Sequence, residues 1–120
     1  MYTELLTKTK LLKEFCNQSL HRLEDIKHRE VYEVDFFNEV KPFVDNVMRI
    51  ADSWRELSKE WIKQEKPKNI HPNQIDATYE NIQHISIQGF YQDTKQKRFK
   101  NMYESILYVL DSIIEKAIKI

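Results

Sequence analysis

"FFNEVKPFVDNVMRIADSWRELSKEW", residues 36–61, decides the fold. Phe36, Val40, Phe43, Val47, Ile50, Trp54, Leu57 and Trp61 recur at steps that alternate between four and three. That alternation holds apolar side chains on one face of an α-helix, whereas a half-buried strand would repeat every second residue. Asp35 is the predicted N-cap, because its carboxylate can accept from an orphan backbone N–H. Pro42 falls inside the pattern. It lacks the N–H of one helical hydrogen bond and crowds the carbonyl four residues back, which predicts a kink near Asn38. In the alternative, the helix begins near Lys41 with Pro42 in its first turn. The seam from Phe36 to Phe43 favours the kink.

The next stretch, "QEKPKNIHPNQID" (residues 64–76), breaks the helical pattern. Pro67 cannot continue the helix, and Lys66 before it is pushed toward extended geometry. Pro72 suits the first turn of a new helix, where its missing N–H costs nothing. His71 then falls at the N-cap, Gln74 sits where a capping box places its partner, and Ile70 can staple onto the new helix. Each residue of the stretch has a structural account, and the stretch reads as a corner rather than a site for His71 chemistry.

Three further stripes flank this pair of features. From about Tyr2 to Lys27, the residues Tyr2, Leu5, Thr9, Leu12, Cys16, Ser19, Leu23 and Ile26 keep the same alternating spacing. A third segment runs from Pro72 to about Thr94, with a seam of Ile75, Tyr79, Ile82, Ile85 or Ser86, and Gly89. A helix-interior glycine costs roughly 1 kcal/mol against alanine. Its place on the seam predicts close packing against a neighbouring helix. The fourth segment runs from about Arg98 to Ile120, with Phe99, Met102, Tyr103, Ile106, Val109, Leu110, Ile113, Ala117 and Ile120 inward. Four stripes on short connections predict one domain over residues 1–120, an all-α, antiparallel up-down-up-down four-helix bundle.

Composition agrees. Gly89 is the only glycine of 120 residues, so the tight turns of a hairpin-rich β protein are excluded. Lys and Arg number 19 and Asp and Glu number 19, so the basic excess expected of a duplex-DNA binder is missing. No apolar run approaches the ~20 residues of a membrane span, and "MYTELLTKTKLLKEF" lacks a signal-peptide core. The expectation is a cytoplasmic chain that binds neither membrane nor nucleic acid. With Cys16 as the only cysteine, an intrachain disulfide is impossible.

"VDFFNEVKP" (34–42), "PKNIHPNQI" (67–75) and "KRFKNMYESILYVL" (97–110) resemble the YppE-like family of small proteins from Firmicutes. The resemblance covers most of the chain and is closest from Pro67 to Leu110. It implies a single four-helix bundle in a bacterial cytosol. The family is one of unknown function, so no catalytic or ligand residue carries over.

Chemical motifs are sparse. Di-metal bundles use Glu-x-x-His on two helices, with the side chains converging inward. Here Glu80 and His84, and Glu24 and His28, are each four apart, and His21, His28 and Glu14 fall opposite the first seam. Cys16 sits on an inner seam, where a thiol behaves as a small hydrophobe rather than a nucleophile. One glycine leaves no phosphate loop. The reading is therefore no enzyme, no catalytic residue, no metal and no cofactor. The basic run "KQKRFK" (95–100) shares an end with the acidic "HREVYEVD" (28–35), and the two are expected to neutralise each other in part.

The functional expectation is a protein-interaction or self-assembling module, whose partner is another protein or a second copy of itself. A metal- or ligand-binding bundle is the alternative. The candidate partner surface consists of Ile87, Tyr91, Leu107, Tyr108 and Ile114, apolar residues beyond what the seams of helices three and four require. They are also placed to be the shoulders of those seams.

Overall fold

The structure, a computed structural model, describes residues 2–118. Four α-helices follow one another: α1 (Thr3–Ile26), α2 (Lys41–Glu65), α3 (Pro72–Gln88) and α4 (Gln96–Ile118). Each packs against its sequence neighbour, and α1 packs against α4 to close the ring. This is the antiparallel up-down-up-down bundle expected from the stripes. The bundle measures 50 × 26 × 20 Å. The ring is not square. α1 also packs against α3 across a diagonal, which leaves α2 and α4 at the far corners without comparable packing between them.

The core is one cluster with contributions from all four helices. Every α1 seam residue from Leu5 to Ile26 is buried, Thr9 and Ser19 included. Trp54 and Trp61 of α2 are fully buried. The Trp54 indole N–H donates to Thr9 Oγ1 at 3.1 Å, and the Thr9 hydroxyl donates in turn to the Leu5 carbonyl at 2.6 Å. A polar relay thereby crosses the α1–α2 contact without an orphaned group. On the flank, Asp76 of α3 meets Arg55 at 2.8 Å and Lys59 at 2.7 Å, both on α2.

The beginning of α2 differs from the preferred expectation. Phe36–Val40 forms a single π-helical turn, and the α-helix starts at Lys41 with Pro42 in its first turn. The Val40 and Lys41 amides reach back five residues, to the Asp35 and Phe36 carbonyls. Asp35 caps the turn by accepting from the Asn38 amide at 3.1 Å. The wider turn is the backbone's response to Pro42, whose ring would crowd the Asn38 carbonyl in a regular helix. It adds one residue to the turn and so rotates Phe36 off the seam. Val40 is buried, but Phe36 is 47 % exposed.

The corner matches its reading in most respects. His71 is extended and exposed at the N-cap of α3, its amide donates to Gln74 Oε1 at 2.7 Å, and Ile70 is buried against the core. Lys66 departs from expectation: it is left-handed (φ 46°), and its amide returns to the Ile62 carbonyl as a helix-ending cap. Helix α3 stops at Gln88, short of the expected Thr94. At the helix end the Gln88 carbonyl accepts from the Tyr91 amide at 3.1 Å and from the Thr94 hydroxyl at 2.8 Å. Gly89 is therefore a C-cap rather than an interior residue. The close approach predicted for it is present: a Cβ built there would lie 2.9 Å from the Ser19 carbonyl oxygen of α1. Ile120, assigned to the inner face of α4, lies outside the described residues.

Candidate functional site

The α1–α2 and α3–α4 connections meet at one end of the bundle and are sewn together by side chains. Tyr32 donates to the Phe90 carbonyl at 2.8 Å. Gln92 Nε2 donates to the Ile26 and Arg29 carbonyls, both at 2.7 Å, and Lys27 Nζ donates to the Thr94 carbonyl at 2.5 Å. The Arg29, Phe90 and Thr94 carbonyls thereby gain partners, and the Ile26 carbonyl, which also accepts from the Arg29 amide, gains a second.

Beneath the seam, Arg22 of α1 lies over two adjoining rings. Its guanidinium carbon is 4.5 Å from the Phe43 centroid and 3.9 Å from the Phe90 centroid. Phe43 stands edge-on to Phe15 (5.8 Å) and to Phe90 (5.5 Å). Burial lowers the Arg22 pKa, while nearby Tyr32 and Glu39 oppose that shift. The Tyr32 phenol is raised, first by burial and then by Glu39. The stack is a structural cation–π contact, with the charge half-buried against the two rings.

Above this packed layer, apolar side chains face outward. Val31 is 87 % exposed and Phe37 is 77 % exposed. The Phe36 and Phe37 rings stand perpendicular at 5.3 Å, fixed to each other by the π-helical turn. Sequence reasoning missed this group. Helical spacing places Phe36 on the seam and gives Phe37 no place on it. The available signal was Pro42: a proline in a first turn moves the helix start past both phenylalanines.

The surface anticipated on α3 and α4 is arranged differently. Ile87, Tyr91, Leu107 and Ile114 are half-buried, and Tyr108 alone is mostly exposed, at 67 %. Tyr108 borders an open depression with Asn101, Glu104, Ser105 and Val109, all on α4. Cys16 is buried, and burial pushes its thiol up to about 12. His21, His28, His71 and His84 are exposed, as are Glu14 and Glu80. Among the described residues, no three His, Cys, Asp or Glu side chains gather as metal ligands. None of the helices described is long and apolar enough to cross a membrane. Of the basic run, Lys100 approaches Glu24 at 3.9 Å. The expected pairing with Glu30, Glu33 and Asp35 does not form among the described residues.

Residues 9–117 match a family described as a bacterial domain of unknown function, DUF1798. The chain belongs to that family. Among DUF1798 relatives, it is 32 % identical over 109 residues to "Uncharacterized protein YppE" of Bacillus subtilis, covering 91 % of this chain and 88 % of that protein. The crystal structure of B. subtilis YppE superposes with a TM-score of 0.93 at 29 % identity, over 99 % of this chain and 96 % of that one. A protein of unknown function from Listeria innocua superposes with a TM-score of 0.88 at 26 % identity, over 96 % and 94 % of the two chains. The resemblance carried by residues 34–42, 67–75 and 97–110 is thus a true family membership, and the bundle is the fold of those relatives.

Proposed function

We propose that this chain is a non-enzymatic binding module that works in the bacterial cytoplasm and docks a polypeptide at the sewn end of the bundle. One observation carries the reading: Phe36 and Phe37 are large apolar groups held in water on a capped, proline-stopped turn, and Val31 earlier on the same connection is exposed as well. Scattered exposed hydrophobics are ordinary, but a fixed aromatic pair beside an exposed valine on one connection favours a contact surface. The base beneath the patch is pre-organised by the Arg22 stack and the cross-loop hydrogen bonds, so little ordering cost remains at docking.

A photo-cross-linking residue at position 37, compared with one at Lys63 near the opposite end, tests the proposal in the native cytosol. Adducts with a polypeptide from position 37 and not from 63 are expected. Equal yield at both positions, or none at either, would refute it.

A further inference from the structure

We infer that the polypeptide received at this end is a second copy of the same chain, docked end to end about a twofold axis. The inference rests on the interaction reading above and adds the identity of the partner. It follows from where the charges of that end sit.

The end face has two lobes. One, on the α1–α2 connection and the turn that leads into α2, carries Phe36, Phe37, Glu30, Glu33 and Glu39, all exposed. The other, at the start of α4, presents Lys95, Lys97 and Arg98, also exposed, with Asp93 beside them. Neither lobe forms an ion pair within the chain among the described residues. The starts of α2 and α4 lie at the far corners of the ring, with α1 and α3 packed between them. Within the chain these opposite charges stay beyond ion-pair distance of each other.

They can reach a second copy. A twofold axis lying in the end plane, perpendicular to the α2–α4 diagonal, brings each acidic–aromatic lobe over the partner's basic lobe. Both contacts form at once, and the assembly closes at two copies. The chemistry of each contact is complementary twice over. Lys97 and Arg98 meet Glu30 and Glu33, and their cationic heads lie over the Phe36 and Phe37 rings. The chain already makes the same contact internally, where Arg22 lies over Phe43 and Phe90. A net charge of zero leaves no long-range repulsion between copies.

The test uses two charge-reversed full-length proteins, Glu30→Lys/Glu33→Lys and Lys97→Glu/Arg98→Glu, checked for native folding by circular dichroism. Wild type is expected to pass from monomer to dimer in sedimentation velocity between low and high micromolar concentration at low salt. Each variant alone has lobes of like charge and is expected to dissociate at least ~10-fold more readily. An equimolar mixture is expected to recover a dimer, which native mass spectrometry identifies as containing one copy of each variant. A wild type that stays monomeric throughout would overturn the second-copy proposal. So would variants that still form homodimers, or a mixture that fails to pair. A monomeric wild type that still cross-links from position 37 to a different polypeptide would leave the interaction reading standing. A monomer that cross-links to nothing would remove both.

Discussion

Gly89→Ala sets two effects of similar size against each other. At the C-cap, Gly89 has ordinary right-handed geometry (φ −64°), so alanine fits the backbone and should gain from a less flexible unfolded chain. That gain is about 0.4–1 kcal/mol. Against it, the new methyl would sit 2.9 Å from the Ser19 carbonyl oxygen, 3.2 Å from Ser19 Cβ and 3.2 Å from the Ile85 carbonyl oxygen. Two of those atoms are backbone and cannot rotate away. Relief requires α1 and α3 to separate along the diagonal, and overpacking of this kind costs roughly 1–3 kcal/mol. The clash wins, with a net loss of about 1–2 kcal/mol. Urea unfolding followed by circular dichroism measures it, with the slope unchanged if only the native state is affected. For a domain of this size, melting falls by roughly 3–5 °C per kcal/mol lost. A Gly89→Ala protein as stable as wild type, or more so, would refute the close approach of α1 to α3.

The remaining predictions concern the core, the corner and the two tyrosines. Trp54→Ala should cost about 3–5 kcal/mol, because the ring is wholly buried; native tryptophan emission at the wavelength of free indole in water would contradict the placement. His71→Ser should hold or slightly raise the urea midpoint, and His71→Ala should lower stability by no more than about 1 kcal/mol, because the side chain is exposed at the N-cap and the bond to Gln74 is made by the backbone amide. Tyr108→Ser should change stability by less than about 0.5 kcal/mol, whereas half-buried Tyr91→Ser should be clearly costlier in the same melting experiment. Cys16 gives a pH signature. Its thiol stays protonated in the fold to about 12 but ionises near 9 once unfolded, so rising pH favours the unfolded chain across that window. Between these pH values, wild type should lose stability faster than Cys16→Ala, by up to ~1.4 kcal/mol per pH unit; parallel pH profiles would place the thiol in water.

The fold was legible because helical spacing is a local, repeated signal. All of the α1 seam from Leu5 to Ile26 and both tryptophans of α2 were placed correctly by spacing alone. Helix ends were legible where side-chain chemistry marks them, as at His71, Gln74 and Pro72. They were misread where the marker was a tertiary contact. Spacing marks Gly89 as a point of close packing, but at the end of α3 the Phe90 and Tyr91 amides and the Thr94 hydroxyl turn back onto Ile87 and Gln88, which no periodicity reveals. Phe36 failed for a related reason. A fixed 3.6-residue period cannot foresee a turn widened by one residue, so an exposed ring was counted as core. The apolar surplus on α3 and α4 is visible in the composition of those segments. The half-burial of Ile87, Tyr91, Leu107 and Ile114 depends on neighbours that are not adjacent in sequence.

The short diagonal has a dynamic meaning. With α1 and α3 pressed together at Ser19 and Gly89, those two helices act as a spine, and α2 and α4 are covers hinged on either side of it. A cover can lift without carrying the other with it, because little binds α2 to α4 directly. Local opening therefore divides into two independent units rather than one, and the spine amides of α1 and α3 exchange last. The cross-loop hydrogen bonds act as a clasp at one end of the bundle, and at the other the Tyr2 hydroxyl lies within hydrogen-bond distance of Gln64 Oε1 (2.9 Å) and Glu65 Oε2 (2.7 Å), which ties the start of α1 to the end of α2.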